Sequence, residues 1–164
     1  MSEAQHLSDA LEGLFVRPDN GWFTPLTVAI AGLTAEQGAT VPAPSFNSVW
    51  AVVNHVRFWQ EVTLLRLRGL PADRQASGAE DGWPPPVAPA DELAWQAACD
   101  RAIALNAELA GLIAGTTGEE LAQPIAPGRA NRYQMIHGVI AHNSYHTCEI
   151  ILIRHMQGLW LERT

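Results

Sequence analysis

Six histidines are spread along this chain, and two of them stand four residues apart in "HNSYHTCEI", residues 142–150. Residues i and i+4 on a helix sit one above the other, with Cβ atoms about 6 Å apart. His142 and His146 can therefore aim their imidazoles at one metal ion, and H-x-x-x-H on a helix is a recurrent ligand spacing. The competing reading is a pair of core histidines satisfied by hydrogen bonds, or a pair on a solvated face. Position favours the metal. Tracing the helix from Met135 through Val139, His142, His146, Glu149 and Ile153 gives steps of three and four, the mark of an inward stripe. Two imidazoles in an apolar core need partners, and a divalent cation satisfies both at once.

A third ligand must come from elsewhere. His155 lies nine residues past His146 and projects from the opposite face. His137 is about 140° from His142, and His6 stands near a terminus. His55 is different. It lies mid-helix in "SVWAVVNHVRFW", among valines and aromatics. If that helix packs against the last one, three imidazoles converge. Three protein ligands with a fourth position open to water make the catalytic type of zinc site.

Other residues near the trio carry competing readings. Glu149 is a fourth ligand, an acceptor for an imidazole N–H, a general base, or a surface glutamate turned away from the core. Cys148 is some 200° from His146 and should point outward. Position 143 is Asn, so the zinc-protease motif H-E-x-x-H is absent, as are a G-x-S-x-G elbow and a glycine-rich phosphate loop. Trp22, Trp59, Trp83 and Tyr145 are candidates for a pocket wall, against the commoner role of aromatics in a core.

The elements that must position these side chains read as helices. Leu7, Leu11, Leu14 and Phe15 give a short amphipathic helix over 7–15, broken by "RPDNGW". Thr24 is an expected N-cap with Pro25 in the first helical position. Leu26, Ile30 and Leu33 line one face of that turn, and Thr34 with Gln37 forms a capping box. Asn47 or Ser48 caps a helix over 48–68 whose inward stripe is Val49, Val52, His55 or Val56, Trp59 and Val62. Gly69 and Pro71 end it. Residues 69–90 have no period and are rich in Pro, Gly and Ala, which predicts a long crossover. A helix over 91–114 follows, with Trp95, Ala98, Ala102, Leu105, Leu109 and Leu112 inward and Gly115 as its stop. Thr117 and Glu120 form another capping box before the last helix, 131–157. "GLTAEQGATVPAP" and "GTTGEELAQPIAP" echo each other, and each precedes a histidine-bearing helix. No stretch alternates as a strand would. The expected fold is a single all-α domain over 1–164, a four-helix bundle with a long crossover loop between the second and third main helices.

Composition excludes several function classes. With 48 % apolar and 16 % charged residues the chain can build a core and is not of the disordered class. The net charge is −7 and the ten basic residues, all arginine, are scattered, so no nucleic-acid partner is expected. No apolar run is long enough for a membrane span, and the acidic start does not read as a secretion signal. A cytoplasmic protein is expected, with Cys99 and Cys148 most simply small buried residues in a reducing compartment.

"FNSVWAVVNHVRFWQEVTLLRLRG" followed far downstream by "GVIAHNSYHTCEIILIRHMQG" resembles the DinB (YfiT-like) family of helical metalloproteins. The resemblance extends over nearly the whole chain, through "GWFTPLTVAIAGLTAEQ" and the crossover. It implies that His55, His142 and His146 bind a divalent ion, zinc or nickel. The family's last helix usually continues Gly/Ala-Gln-Ile where this chain has Cys148-Glu149-Ile150, which leaves the ligands intact but changes the group beside them. The resemblance implies a thiol-S-transferase or a metal-dependent hydrolase acting on a small-molecule or thiol substrate, and a homodimer. The alternative is a non-catalytic metal-binding or stress-related interaction protein. A metal-free bundle is the third reading.

Overall fold

A computed structural model describes residues 1–17, 22–72, 82–83 and 91–161. Seven helices and no strand are present among them: α1 (Glu3–Gly13), α2 (Leu26–Ile30), α3 (Ala35–Ala39), α4 (Val49–Leu67), α5 (Glu92–Ala114), α6 (Gly118–Ala122) and α7 (Arg132–Met156). None is long and apolar enough to cross a membrane.

Most of these helices begin where a short polar side chain can accept a hydrogen bond from an otherwise unpaired backbone N–H. Ser2, Thr34, Thr117 and Asn131 each form a reciprocal capping box with the residue three positions on, while Ser48 and Asp91 cap α4 and α5. The Thr34 and Thr117 boxes were legible in the sequence; those at Ser2 and Asn131 were missed. The start of α2 is a correction. Pro25, not Thr24, occupies the cap position, and no side chain caps this helix. The sequence echo has a structural counterpart, because α3 and α6 are both five-residue helices opened by a threonine box, and each precedes a histidine-bearing helix.

The core lies between α1, α4, α5 and α7. Phe15, Leu26, Trp50, Trp95, Ile150 and Ile153 fill one end; Leu11, Leu64, Leu105, Leu109, Ile113 and Ile136 fill the other. Each such side chain removed from water contributes on the order of 1.5–3 kcal/mol. Trp95 also donates its indole N–H to the carbonyl of Leu33 at 2.9 Å, which fixes α5 against the α2–α3 turn. The buried Arg154 does similar work from α7, donating to the carbonyls of Ala29 and Ala31 at 2.7 and 2.9 Å and to Leu159 at 3.3 Å.

Three contacts give the direction of α4 against α7. Asn47, just before α4, meets Glu149; His55 meets His142; Arg132 donates to the carbonyl of Leu67. Rising numbers on one helix meet falling numbers on the other, so the pair is antiparallel. The inward stripe of α7 differs from the expected one. Its buried line runs Ile136, Val139, Asn143, His146, Ile150 and Ile153, whereas Met135, His142 and Glu149 are only half-buried. The expected stripe thus meets the core at Val139, His146 and Ile153, while Met135, His142 and Glu149 lie one residue round, at its edge. The expected crossover, 69–90, lies mostly outside the described residues.

Candidate metal centre

α4 and α7 bring His55, His142 and His146 together. One ring nitrogen from each lies within 4.8 Å of the others, a spacing that could hold a metal ion. Their Nδ1 edges face oxygen acceptors. His55 Nδ1 is 2.6 Å from the carbonyl of Gly82, and His146 Nδ1 is 2.7 Å from Glu149 Oε2. A ring nitrogen facing such an oxygen must carry the proton, which leaves Nε2 with its lone pair. His142 Nδ1 faces Asn143 Oδ1 at 3.4 Å, a weak contact with the same sense.

The Nε2 edges face one another. His55 and His142 approach Nε2 to Nε2 at 3.1 Å. His146 Nε2 is buried and has no hydrogen-bond partner among the described residues. A buried acceptor without a donor is costly, and lone pairs gathered in one place repel each other. A divalent cation at their common focus removes both penalties. The donor set therefore fits a metal ion, with three neutral imidazoles of the kind that bind zinc and nickel.

Burial reinforces neutrality. Desolvation, followed by the neighbouring His146, pushes the His142 pKa down to about 4. His146 is also lowered by burial, against an upward pull from the Glu149 carboxylate. The two influences on His146 oppose, and burial wins because its side chain is only 6 % exposed.

Aromatic rings wall the trio. Trp83 stacks on His55 with ring centroids 3.8 Å apart and planes 16° from parallel. Trp59 meets His55 and His142 edge-on, and Tyr145 packs against His142 and His146. Three of the four aromatics singled out in the sequence thus border the histidines. Trp22 does not. It is 90 % exposed and rims a groove of about 360 Å³ between α1 and α7. A cavity of about 610 Å³ lies at the other end of the α4–α7 pair, beside Arg66, Arg129 and Met135. Neither cavity is lined by the three histidines, so donor chemistry rather than cavity size identifies the site.

The remaining candidates separate cleanly. Cys148 is exposed, as its helical angle required, which corrects its reading as a small buried residue. Cys99 is buried, and burial raises its thiol pKa to about 12, which keeps it protonated and unreactive. His137 is exposed beside Tyr133, and His155 stacks on Trp160, both away from the trio. Two residues escaped the sequence reading. Gly82 sits in a segment without periodicity, and its role is carried by a backbone carbonyl. Asn47 was read as a cap, yet its side-chain amide donates to Glu149 Oε1 at 2.9 Å.

A model of the DinB superfamily matches residues 24–150, which include all of α4 and α7 as far as Ile150. The chain belongs to the DinB superfamily. No curated protein and no solved structure matches it. The DinB match begins at the α2 turn and ends one residue after Glu149, so it contains all three histidines and their Nδ1 partners.

Proposed function

We propose that this DinB-superfamily chain is a divalent-metal protein in which His55, His142 and His146 ligate one ion, zinc or nickel, through Nε2. The scaffold in this reading is a four-helix bundle of α1, α4, α5 and α7 with a long crossover between α4 and α5. The observation that carries it is the buried His146 Nε2, which lacks a donor while its Nδ1 is committed to Glu149.

When bound, the ion supplies Lewis acidity that brings a coordinated water or thiol toward ionisation near neutral pH. The chain's own residues do the rest. The Gly82 carbonyl and Glu149 hold two imidazoles in the Nδ1–H form, which keeps Nε2 available as a ligand. Trp59, Trp83 and Tyr145 limit water around the rings. His142 is half-exposed, which leaves an approach from solvent on its side.

This arrangement supports an enzyme with a small-molecule or thiol substrate, a thiol-S-transferase or a metal-dependent hydrolase. A non-catalytic metal-binding or stress-related role would be favoured by a carboxylate closing the fourth position. Glu149 instead meets the Nδ1 edge of His146, away from the shared focus of the ligand atoms. Cytoplasmic residence and a homodimer belong to the same proposal. Tyr145, Leu152 and Met156 are exposed on α7, which supports pairing with a second copy.

Elemental analysis of tag-free protein tests the reading. Wild type should carry close to one equivalent of metal, and His142→Ala or His146→Ala should fall to background with the helical circular-dichroism signal retained. Equal metal in wild type and the triple variant, or none in either, overturns it.

A further inference from the structure

Glu149 does not act alone. Its two carboxylate oxygens have separate partners: Oε2 takes the Nδ1 proton of His146 at 2.7 Å, and Oε1 takes an amide proton of Asn47 at 2.9 Å. The partners come from opposite parts of the chain. Asn47 stands immediately before Ser48, the cap of α4, and 102 residues from Glu149. The loop that delivers it turns at Ser45, the one described non-glycine residue with positive φ, +67°. The Glu149 side chain is 29 % exposed, so it is largely shielded from water but not sealed from it.

A glutamate carboxylate on three rotatable bonds would wander among rotamers. One anchored by a second donor has its position fixed, and it fixes the imidazole in turn. The anchor also lies at the start of the helix that carries His55. We infer that Asn47 and Glu149 form a two-residue clamp that locks His146 in its Nδ1–H tautomer and ties that ring to the start of the His55 helix. Asn47 is thus a positioning residue, two hydrogen bonds removed from the proposed ligand His146, and Glu149 is the group through which it acts. The clamp rests on the metal reading only for its purpose; its geometry concerns hydrogen bonds within the chain.

The pairing has a chemical signature. Glu149→Gln can keep both contacts if Asn47 turns its amide over: the new amide's oxygen accepts from His146 and its N–H donates to Asn47 Oδ1. Asn47→Asp sets two carboxylates face to face and should break the clamp. Combining the two changes restores complementarity, since the new amide at 149 then donates to the new carboxylate at 47.

The test uses the full-length protein and zinc as the probe. Zinc affinity is measured by competition with a chromophoric chelator. The His146 tautomer is read in metal-free protein from long-range 1H–15N spectra of the imidazoles. Glu149→Ala should weaken zinc binding by about 10–100-fold and release the tautomer from its Nδ1–H form. Asn47→Asp should weaken binding similarly, and Asn47→Asp with Glu149→Gln should recover the affinity and tautomer of Glu149→Gln alone. Circular dichroism on each variant confirms the fold. A double variant no better than Asn47→Asp, or an unchanged tautomer in Glu149→Ala, overturns the clamp. Wild type that takes up no zinc overturns the metal reading instead, and the tautomer measurement then decides the clamp by itself.

Discussion

Gly82 supplies the carbonyl that receives the His55 Nδ1 proton, and it does so from a backbone conformation with φ +83°. A Cβ there would lie 2.7 Å from the indole nitrogen of Trp59. Two penalties thus fall on one substitution, a left-handed backbone for an L residue and a clash with an aromatic ring that itself touches His55. Gly82→Ala should lower both metal affinity and the thermal midpoint, with the stability loss on the order of 1–2 kcal/mol. Paired chelator competition and thermal melts check this. If the melts alone respond, the Gly82 carbonyl has no bearing on the ligand. The ligands and their partners also mark what was legible in the sequence. His142 and His146 announce themselves by spacing, and His55 by its apolar surroundings. Their Nδ1 acceptors do not, because a carbonyl has no side-chain signature and a contact between positions 47 and 149 leaves no local periodicity.

At the scale of helices, the bounds of α4, α5 and α7 were read closely, whereas α1, expected over 7–15, spans Glu3–Gly13 behind the missed Ser2 box. Ser48, Gly69, Asp91 and Gly115 bracket α4 and α5 closely. The orientation of α7 was harder. The expected stripe and the observed core line share Val139, His146 and Ile153, but Ile136, Asn143 and Ile150 are buried where Met135, His142 and Glu149 were expected. Both contain apolar residues at steps of three and four, so periodicity cannot choose between them. The difference matters, because it sets His142 at the margin of the core. Arg154 was missed for the same reason as Gly82: its partners are backbone oxygens of the α2 turn, more than a hundred residues away. Arg154→Met should cost about 2–3 kcal/mol by leaving those carbonyls unpaired. Chemical denaturation measures it, and a change within error would make the guanidinium contacts incidental to α2.

For the whole molecule, burial of neutral imidazoles links stability to pH. His142 has a pKa of about 4 in the folded protein against a usual 6.5. Between those values the unfolded chain binds more protons than the folded one, so unfolding gains as acid is added. Metal-free protein should keep its full stability above about pH 6.5 and lose the His142 contribution progressively as pH falls toward about 4. Melts in chelator across that range test it, and His142→Ala should flatten the slope. Metal should move the midpoint the other way. An ion that binds only the folded form adds about 2.7 kcal/mol when present at a hundred times its dissociation constant.

His55 and His142 are separated by 87 positions along the chain. An ion joining them would act as a removable cross-link, closing about half of the 164-residue polypeptide into one large ring. The unfolded chain keeps only the local 142–146 pair, a weak two-point chelate, and must search a long loop to find the third ligand. Capture would therefore follow collapse of α4 onto α7 rather than guide it. Release would wait for those helices to part, so metal retention over time should report on the opening rate of this one helix pair.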